Sequence, residues 1–308
     1  MNEPKDKKFT RLAAATFSVA LSVQATDPVI LQNAAAEIIV RPDIGRILSF
    51  RTLEGSNVLW VAEDPNSFGP VPQYGGLRIM ISPEVLWGQI RSPRRSDPAT
   101  DGGPWTVSDQ GGRHVRMETY SPDLGVKVRW TIRLHETEPS LSLAYEIERV
   151  KDNPFPVHVW SIAQVPLREK VWMSRVPHID APFHNFLRTP ALNQAAALYQ
   201  AEEALVFDGT QGSAPLKIGT FGTWIAHPHN GSTFVITAPA PQRLPYSDNS
   251  NLQAFAWPGR FPFYEIEVTS PMQHLKAGEL LHAQETWRII PLPEGSLSDH
   301  IRTIKEGK

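Results

Sequence analysis

Apolar and polar residues alternate in short runs along most of the chain. Val126–Leu134 is one run with a period of two, and Leu141–Ile147 is another. Successive side chains of a β-strand point to opposite faces, so each run predicts a strand with one buried face. Pro139 lies in the short segment between them, and the two runs therefore predict a hairpin.

Comparable runs predict further strands at Glu37–Val40, Ile47–Arg51, Val157–Val165, Lys217–Ala226, Thr233–Ala238 and Leu252–Trp257. The 28 prolines and 20 glycines are scattered, which divides the chain into short pieces and disfavours long helices. Only Leu192–Leu205 and Ser298–Lys305 predict helix. No internal repeat or linker interrupts the pattern. We therefore predict an all-β protein built as one large antiparallel β-sandwich.

The most informative strand is Phe263–Thr269, which precedes Pro271 and a turn at Gly278. One face of this strand is polar and carries Glu265, Glu267 and Thr269. The opposite face is apolar and carries Tyr264, Ile266 and Val268. Two carboxylates therefore project side by side from this strand. A second alternating run, Leu281–Ile289, completes a strand, loop, strand unit.

The N-terminal segment differs from the rest of the chain. Residues 1–11 hold four basic and two acidic residues, and the uncharged run Leu12–Val23 follows. That run is too short to span a bilayer, and Ala25 supplies a small residue for a signal peptidase. We interpret residues 1–25 as a signal peptide and residues 26–308 as a single domain of an exported protein, periplasmic or extracellular. A short buried or amphipathic helix is the alternative.

Composition removes several classes of function. The chain has no cysteine, which excludes a disulfide scaffold, a thiol nucleophile and thiolate metal sites. Without residues 1–25 the net charge moves from −2 to −4, and no basic stripe predicts a nucleic-acid partner. No membrane span is expected in the mature chain. Nothing in the sequence predicts a cofactor or a metal.

Several motifs carry a family resemblance: Arg41–Phe50, with its Pro-x-x-Gly-Arg-Ile pattern, Asn57–Trp60, Tyr74–Arg78, Asp101–Trp105, Tyr246–Asn251 and the Leu275–Glu279 turn after the acidic strand. Together they resemble galactose mutarotase-like (aldose 1-epimerase-like) proteins, in particular an exported branch of that superfamily. The resemblance extends from about Val29 to Leu292. It implies an antiparallel β-supersandwich with a sugar site on the concave face of the larger sheet.

The resemblance also implies roles for individual residues. Mutarotation needs a base for the anomeric hydroxyl and an acid for the ring oxygen. Glu267 matches the family's base position, and His158 is the best local acid. The family's Asn-His pair is missing from Pro156–Gln164, which leaves the acid open. The residues expected to bind the sugar are Arg46, Arg78, Trp160, Asp248 and Glu265.

The expected partner is a mono- or oligosaccharide, which the protein binds or acts on. One alternative is an aldose 1-epimerase with a Glu base and a His acid, and another is a non-catalytic structural envelope protein. Each residue also has a purely structural interpretation. Glu265 and Glu267 would lie on a solvated sheet face, and His158 would be a core histidine. Arg46 and Arg78 would form surface ion pairs, and Asp248 would form a turn.

Three further patterns have two interpretations each. Trp87, Trp105, Trp160 and Trp257 are candidates for stacking on a sugar ring, with core packing as the alternative. His227 and His229 have the His-x-His spacing of some metal sites. The following Asn-Gly instead predicts a hairpin turn, which places both histidines beside an exposed tip and disfavours a metal site. A glycosidase is disfavoured because carboxylates two residues apart lie about 6.6 Å from each other and point the same way.

Overall fold

A computed structural model describes residues 27–175, 184–185, 198–201, 204–292 and 297–306. In these ranges the chain forms 19 strands, numbered in chain order, in two antiparallel sheets. The fold class is therefore the predicted one, a nearly all-β antiparallel sandwich. The predicted signal peptide, residues 1–25, lies outside the described residues.

The first sheet has nine strands and carries most of the predicted site residues. In spatial order they are β1 (Val29–Gln32), β2 (Ala36–Arg41), β3 (Arg46–Thr52), β4 (Leu77–Met80), β9 (Trp160–Pro166), β18 (Phe263–Thr269), β17 (Leu252–Ala256), β14 (Leu216–Thr220) and β11 (His184–Asn185).

The second sheet has ten strands and packs against the first. In spatial order they are β12 (Leu198–Ala201), β13 (Ala204–Phe207), β10 (Val171–Ser174), β15 (Trp224–His229), β16 (Ser232–Thr237), β19 (Leu280–Pro291), β8 (Ser140–Arg149), β7 (Val126–Leu134), β6 (His114–Ser121) and β5 (Thr106–Gly111).

The main core fills the space between the two sheets. Tyr264, Ile266 and Val268 of β18 point into it, as their period-2 spacing predicts. From the second sheet, β7 and β8 contribute alternate residues, including the fully buried Trp130. The acidic residues of β18 consequently face away from the core, on the opposite side of the nine-stranded sheet. We call this side the site face.

Two predictions of local structure were wrong. The helix predicted for Leu192–Leu205 is wrong at residues 198–201 and 204–205, which belong to the antiparallel strands β12 and β13; its other residues lie outside the described ranges. Alanine has the highest helix propensity, but this preference is small in energy, and pairing with β10 buries Ala204 to Phe207. The predicted run Lys217–Ala226 divides into β14 and β15, which belong to different sheets.

The Asn230-Gly231 turn joins β15 to β16 as predicted. Both residues have positive φ, 45° and 77°, which suits the two-residue hairpin turn. The tip is exposed, but His227 and His229 are buried, so their predicted position beside an exposed tip does not expose them. Burial lowers the pKa of His227 to about 3 and also lowers the pKa of His229.

Few helices accompany the sheets. They are α1 (Trp87–Ile90), α2 (Leu297–Glu306) and short 3-10 turns at Pro42–Ile44, Pro65–Phe68, Glu84–Leu86 and Ser247–Asn249. The predicted helix Ser298–Lys305 is confirmed by α2, which buries Ile301 and Ile304 against the second sheet. Among the described residues, no helix has the length and apolar character needed to cross a bilayer.

The long connection from β3 to β5 passes over the site face and includes β4 and α1. Gly76 lies where this connection meets β3. It has a φ of 71°, and a Cβ on Gly76 would lie 2.1 Å from the carbonyl oxygen of Ile47. Only glycine permits this close approach, which sets the position of Arg78 two residues later.

Candidate functional site

The strand register gathers the site from four neighbouring strands. Glu265 lies opposite Gln164 of β9, and Glu267 lies opposite Ile162, which in turn faces Arg78 of β4. On the other side of β18, Gln253 of β17 lies opposite Glu267. Side chains that are directly paired across antiparallel strands share a face and lie close together. The site face therefore concentrates polar groups from β4, β9, β17 and β18.

Four charged side chains on this face, from β3, β4, β18 and the loop before β5, form a continuous series of ion pairs, which we call the ion-pair chain. Arg46 lies 2.7 Å from Asp101, and Asp101 lies 3.6 Å from Arg78. Arg78 then binds Glu265 at 2.8 Å. Gln164 donates a further hydrogen bond of 3.0 Å to the same oxygen of Glu265. The chain thus alternates in sign from β3 to β18.

Burial and ion pairing shift the pKa values of these groups in opposite directions. Burial lowers the pKa of Arg46 to about 10, although Asp101 partly offsets the effect. For Asp101, burial would raise the pKa, but the charges of Arg78 and Arg46 outweigh it and the pKa falls. For Arg78, burial is outweighed by Glu265 and Asp101, so its pKa is raised. Arg46, Asp101 and Arg78 stay charged because each lies beside a group of opposite charge.

Glu267 is the deepest carboxylate of the site face and is fully buried. Its Oε2 accepts hydrogen bonds from Trp160 Nε1 at 2.7 Å and from Lys217 Nζ at 2.9 Å. Burial raises the pKa of Glu267 to about 7, although Lys217 opposes the shift. Lys217 also lies 4.7 Å from the centre of the Trp160 ring, a cation–π distance.

His158 lies just before β9 and is also fully buried. Its ring stacks on Trp160 with the centroids 6.4 Å apart. Burial lowers the pKa of His158 to about 4, which a main-chain contact with Ser82 only partly offsets. At neutral pH the imidazole is therefore uncharged. Glu267 and His158 lie on the same side of the sheet and both contact Trp160.

An open cleft of about 490 Å³ adjoins these buried groups. We call it the polar cleft, and its lining includes Arg46, Tyr74, Arg78, Met80, Trp87 and Asp101. Trp87 packs against Trp160 at a centroid distance of 6.3 Å, so one cleft wall continues the site face. The volume falls within the range of small-molecule sites.

The structure brings most of the predicted site residues together but corrects their surroundings. Glu267 is buried rather than solvated, the Arg46–Asp101 pair is buried, and the Arg78–Glu265 pair is largely but not fully buried. The residues lie on the nine-stranded sheet, which is not the larger one among the described strands. Asp248 is exposed on a turn with a φ of 54°, as expected of a turn former. The pKa of Lys217 is raised because Glu267, together with Asp248, outweighs the effect of burial.

Among the stacking candidates, Trp105 belongs to the main core, where it meets Trp130 edge to face at 6.0 Å. Trp105 therefore agrees with the core-packing alternative and not with stacking on a sugar. Trp87 and Trp160 lie at the site. Within the described ranges no three metal-ligating side chains come together, at His227 and His229 or elsewhere.

Two charged members of the site were not identified from the sequence. Asp101 reaches Arg46 and Arg78 from a distant loop, and no local pattern indicates that approach. Lys217 was assigned only to a strand. A lysine between Leu216 and Ile218 on a strand is expected to point away from the core, which is a usable signal, but its partner Glu267 is 50 residues away.

A second buried carboxylate lies on the other side of β9, between the sheets. Glu285 Oε1 accepts hydrogen bonds from Tyr145 at 2.8 Å, Ser161 at 2.7 Å and Trp287 at 3.2 Å. Burial raises the pKa of Glu285 to about 7. Since Ser161 belongs to the first sheet and Glu285 to the second, this group links the two sheets through the core.

Comparison with known proteins places this geometry in a structural group. No protein-family model and no curated protein matches the chain. A galactose mutarotase-like protein from Lactobacillus casei superposes with a TM-score of 0.58 and 12% identity, covering 85% of this chain and 100% of its own. The chain has the galactose mutarotase-like fold.

Two other galactose mutarotase-like structures agree. The one from Clostridium acetobutylicum has a TM-score of 0.55 and 10% identity, over 86% of this chain and 95% of its own. The galactose mutarotase related enzyme from Lactobacillus acidophilus also has a TM-score of 0.55 and 10% identity, over 87% of this chain and 99% of its own. The galactose mutarotase-like resemblance of the sequence is thus confirmed at the level of the fold.

Removing the Lys217 ammonium is expected to raise the pKa of Glu267 above about 7, because Lys217 stabilises the carboxylate. The unfolded chain titrates this group near 4.5. The folded state therefore binds the proton more tightly, and the Glu267 contribution to the free energy of unfolding falls as pH rises from about 4.5 to about 7. In Lys217→Met that fall extends to higher pH.

Carboxyl carbon NMR measures the Glu267 pKa directly, and urea denaturation between pH 4 and 9 measures the stability profile. Lys127→Met is the matched control, because Lys127 pairs with Glu118 on the second sheet. An unchanged Glu267 pKa in Lys217→Met would contradict the pairing.

Proposed function

We propose that this galactose mutarotase-like protein binds carbohydrate in the polar cleft. The observation that carries the proposal is the buried ion-pair chain, which presents alternating donors and acceptors to an open cleft walled by Trp87. A sugar ring offers hydroxyl groups that both donate and accept, and it also has an apolar face that matches an indole ring.

Unused hydrogen-bonding capacity supports this proposal. Among the described residues, Arg46 Nε, Arg78 Nε, Gln164 Oε1 and Glu267 Oε1 are buried without a hydrogen-bond partner. A buried polar atom without a partner costs free energy, so several at one place indicate a site that a ligand or water completes. All four belong to the site face, and Arg46 and Arg78 line the polar cleft.

Trp87→Ala is expected to weaken sugar binding by roughly three- to tenfold, the usual contribution of one aromatic contact. Titration calorimetry with glucose, galactose, mannose and their oligomers measures the affinity, after a thermal-shift screen has selected the best ligand. Tyr120→Ala is the matched control, because Tyr120 is an exposed aromatic residue of β6 on the second sheet.

The thermal-shift screen also separates the proposal from a purely structural role. If no sugar in the panel raises the melting temperature of the wild-type protein, the carbohydrate proposal fails and a structural envelope protein becomes the better description. An equal loss of affinity in Trp87→Ala and Tyr120→Ala would place the sugar elsewhere.

A second candidate function is aldose 1-epimerase, and the pKa of Glu267 favours it. A carboxylate with a pKa of about 7 suits a general base at neutral pH. The site lacks an equally suitable general acid, because the lowered pKa of His158 leaves its imidazole neutral at pH 7. Glu267 is also fully buried, so a sugar hydroxyl reaches Oε1 only after the covering groups move.

For these reasons we expect no mutarotase activity from the wild-type protein. Polarimetry of freshly dissolved glucose and galactose should give the same rate with the protein as in buffer alone. A faster rate that is lost in Glu267→Gln, but kept in the exposed-site control Glu54→Gln, would instead establish the epimerase, provided that Glu267→Gln still binds sugar.

We also propose that the protein is exported, on the charge and length of residues 1–25. Intact-mass measurement of the protein purified from the cells that make it should give a mature chain that starts near Thr26. A mass that includes Leu12–Val23 would contradict removal of the segment.

A further inference from the structure

A second cleft lies beside the site face and is lined mainly by aromatic rings and prolines. We call it the aromatic cleft. Its volume is about 590 Å³, and its lining includes Trp60, Phe68, Pro166, Arg168, Arg260 and Phe261. Phe263 lies behind it, with ring centroids 4.5 Å from Trp60 and 5.0 Å from Phe261. The rings are thus fixed by contacts with one another.

Unlike the core aromatic residues, the rings that line this cleft are partly exposed. Trp60, Phe68 and Phe261 are all half-buried. Arg260 is exposed, and its guanidinium lies 5.2 Å from the centre of the Phe261 ring. A flat apolar ring beside an exposed hydrogen-bond donor is a suitable surface for a sugar unit, which has an apolar face and a rim of hydroxyls.

The aromatic cleft is continuous with the site face. Phe263 begins β18 and lies two residues before Glu265 on the same face, about 7 Å along the strand. Trp60 donates its main-chain N–H to the carbonyl oxygen of Gln164 at 2.8 Å, and the Gln164 side chain binds Glu265. The aromatic rings therefore follow directly after the end of the ion-pair chain.

One short segment also borders both clefts. Phe68 lines the aromatic cleft, and the following residues 70–74 line the polar cleft. A ligand that fills the polar cleft and extends past residues 70–74 would consequently meet the aromatic rings next. A single sugar ring does not need both clefts, since each has a volume typical of a complete ligand site.

We propose that the ligand is an oligosaccharide, with its first unit in the polar cleft and the following units stacked in the aromatic cleft. This inference rests on the proposed carbohydrate function and specifies its ligand class. The two clefts have different roles. The ion-pair chain orients one unit by hydrogen bonds. The rings of the aromatic cleft add affinity for each further unit and discriminate little between hydroxyl configurations.

The test compares affinity with ligand length by titration calorimetry. The probes are glucose, galactose and mannose, with their α- and β-linked dimers, trimers and tetramers. For the sugar that binds, we expect wild-type affinity to increase by roughly three- to tenfold from the monomer to the trimer. Phe261→Leu should lose this increase, because leucine keeps an apolar side chain without the flat ring. Phe261→Tyr should retain it.

Monosaccharide affinity should be the same in all three proteins, since Phe261 does not line the polar cleft. This readout also shows that the variants are folded. Monosaccharide binding without any gain on lengthening would overturn the oligosaccharide inference and leave the proposed function intact. A gain that persists in Phe261→Leu, or Phe261-dependent binding of a proline-rich peptide in place of the oligomers, would also overturn it. If no sugar binds, both proposals fail.

Discussion

Charge pairing on the site face is the constraint on which the rest of the site depends. A buried charge without a partner is strongly destabilising, so each charged group here is held by the next. Arg46, Asp101, Arg78 and Glu265 satisfy one another in series, and Lys217 satisfies Glu267. Breaking one pair would leave a charge without a partner in a low-polarity environment. The pairs therefore fix the relative positions of strands from three parts of the chain.

The β3 to β5 connection makes this arrangement possible. It carries Asp101 and Trp87 over the site face, where Asp101 neutralises two arginines and Trp87 packs on Trp160. Without Asp101, Arg46 would lose its carboxylate partner and Arg78 would keep only Glu265. The same connection forms the walls of both clefts, through Phe68 on one side and Tyr74 on the other. Pairing of charges and shaping of the clefts therefore have one structural origin.

Strand β9 connects the two buried carboxylates. Trp160 on one face donates to Glu267, and Ser161 on the other face donates to Glu285. Burial raises the pKa of both carboxylates to about 7, although only Glu267 has a cationic partner. Proton binding near neutral pH is thus a property of both faces of the strand. On the inner face it affects the contact between the sheets, and on the outer face it affects the candidate site.

The sequence by itself determined the fold class, most strands and the side of β18 on which the carboxylates lie. These are local properties, because a period of two assigns each side chain to a face within one strand. The same rule placed Glu265 and Glu267 on a common face, whereas the pairing of β9 with β18 brought Trp160 to that face. The helix predicted from residue 192 was wrong at residues 198–201 and 204–205 because the local preference of alanine is weaker than pairing with β10.

Only the tertiary structure decided the partners. Asp101 is 55 residues from Arg46, and Glu265 is 187 residues from Arg78. Neither spacing follows a local period, so no strand pattern reveals them. Burial of Glu267 and His158 likewise depends on what lies above the sheet rather than on the strand itself. Their pKa values, and with them the balance between binding and catalysis, follow from that cover.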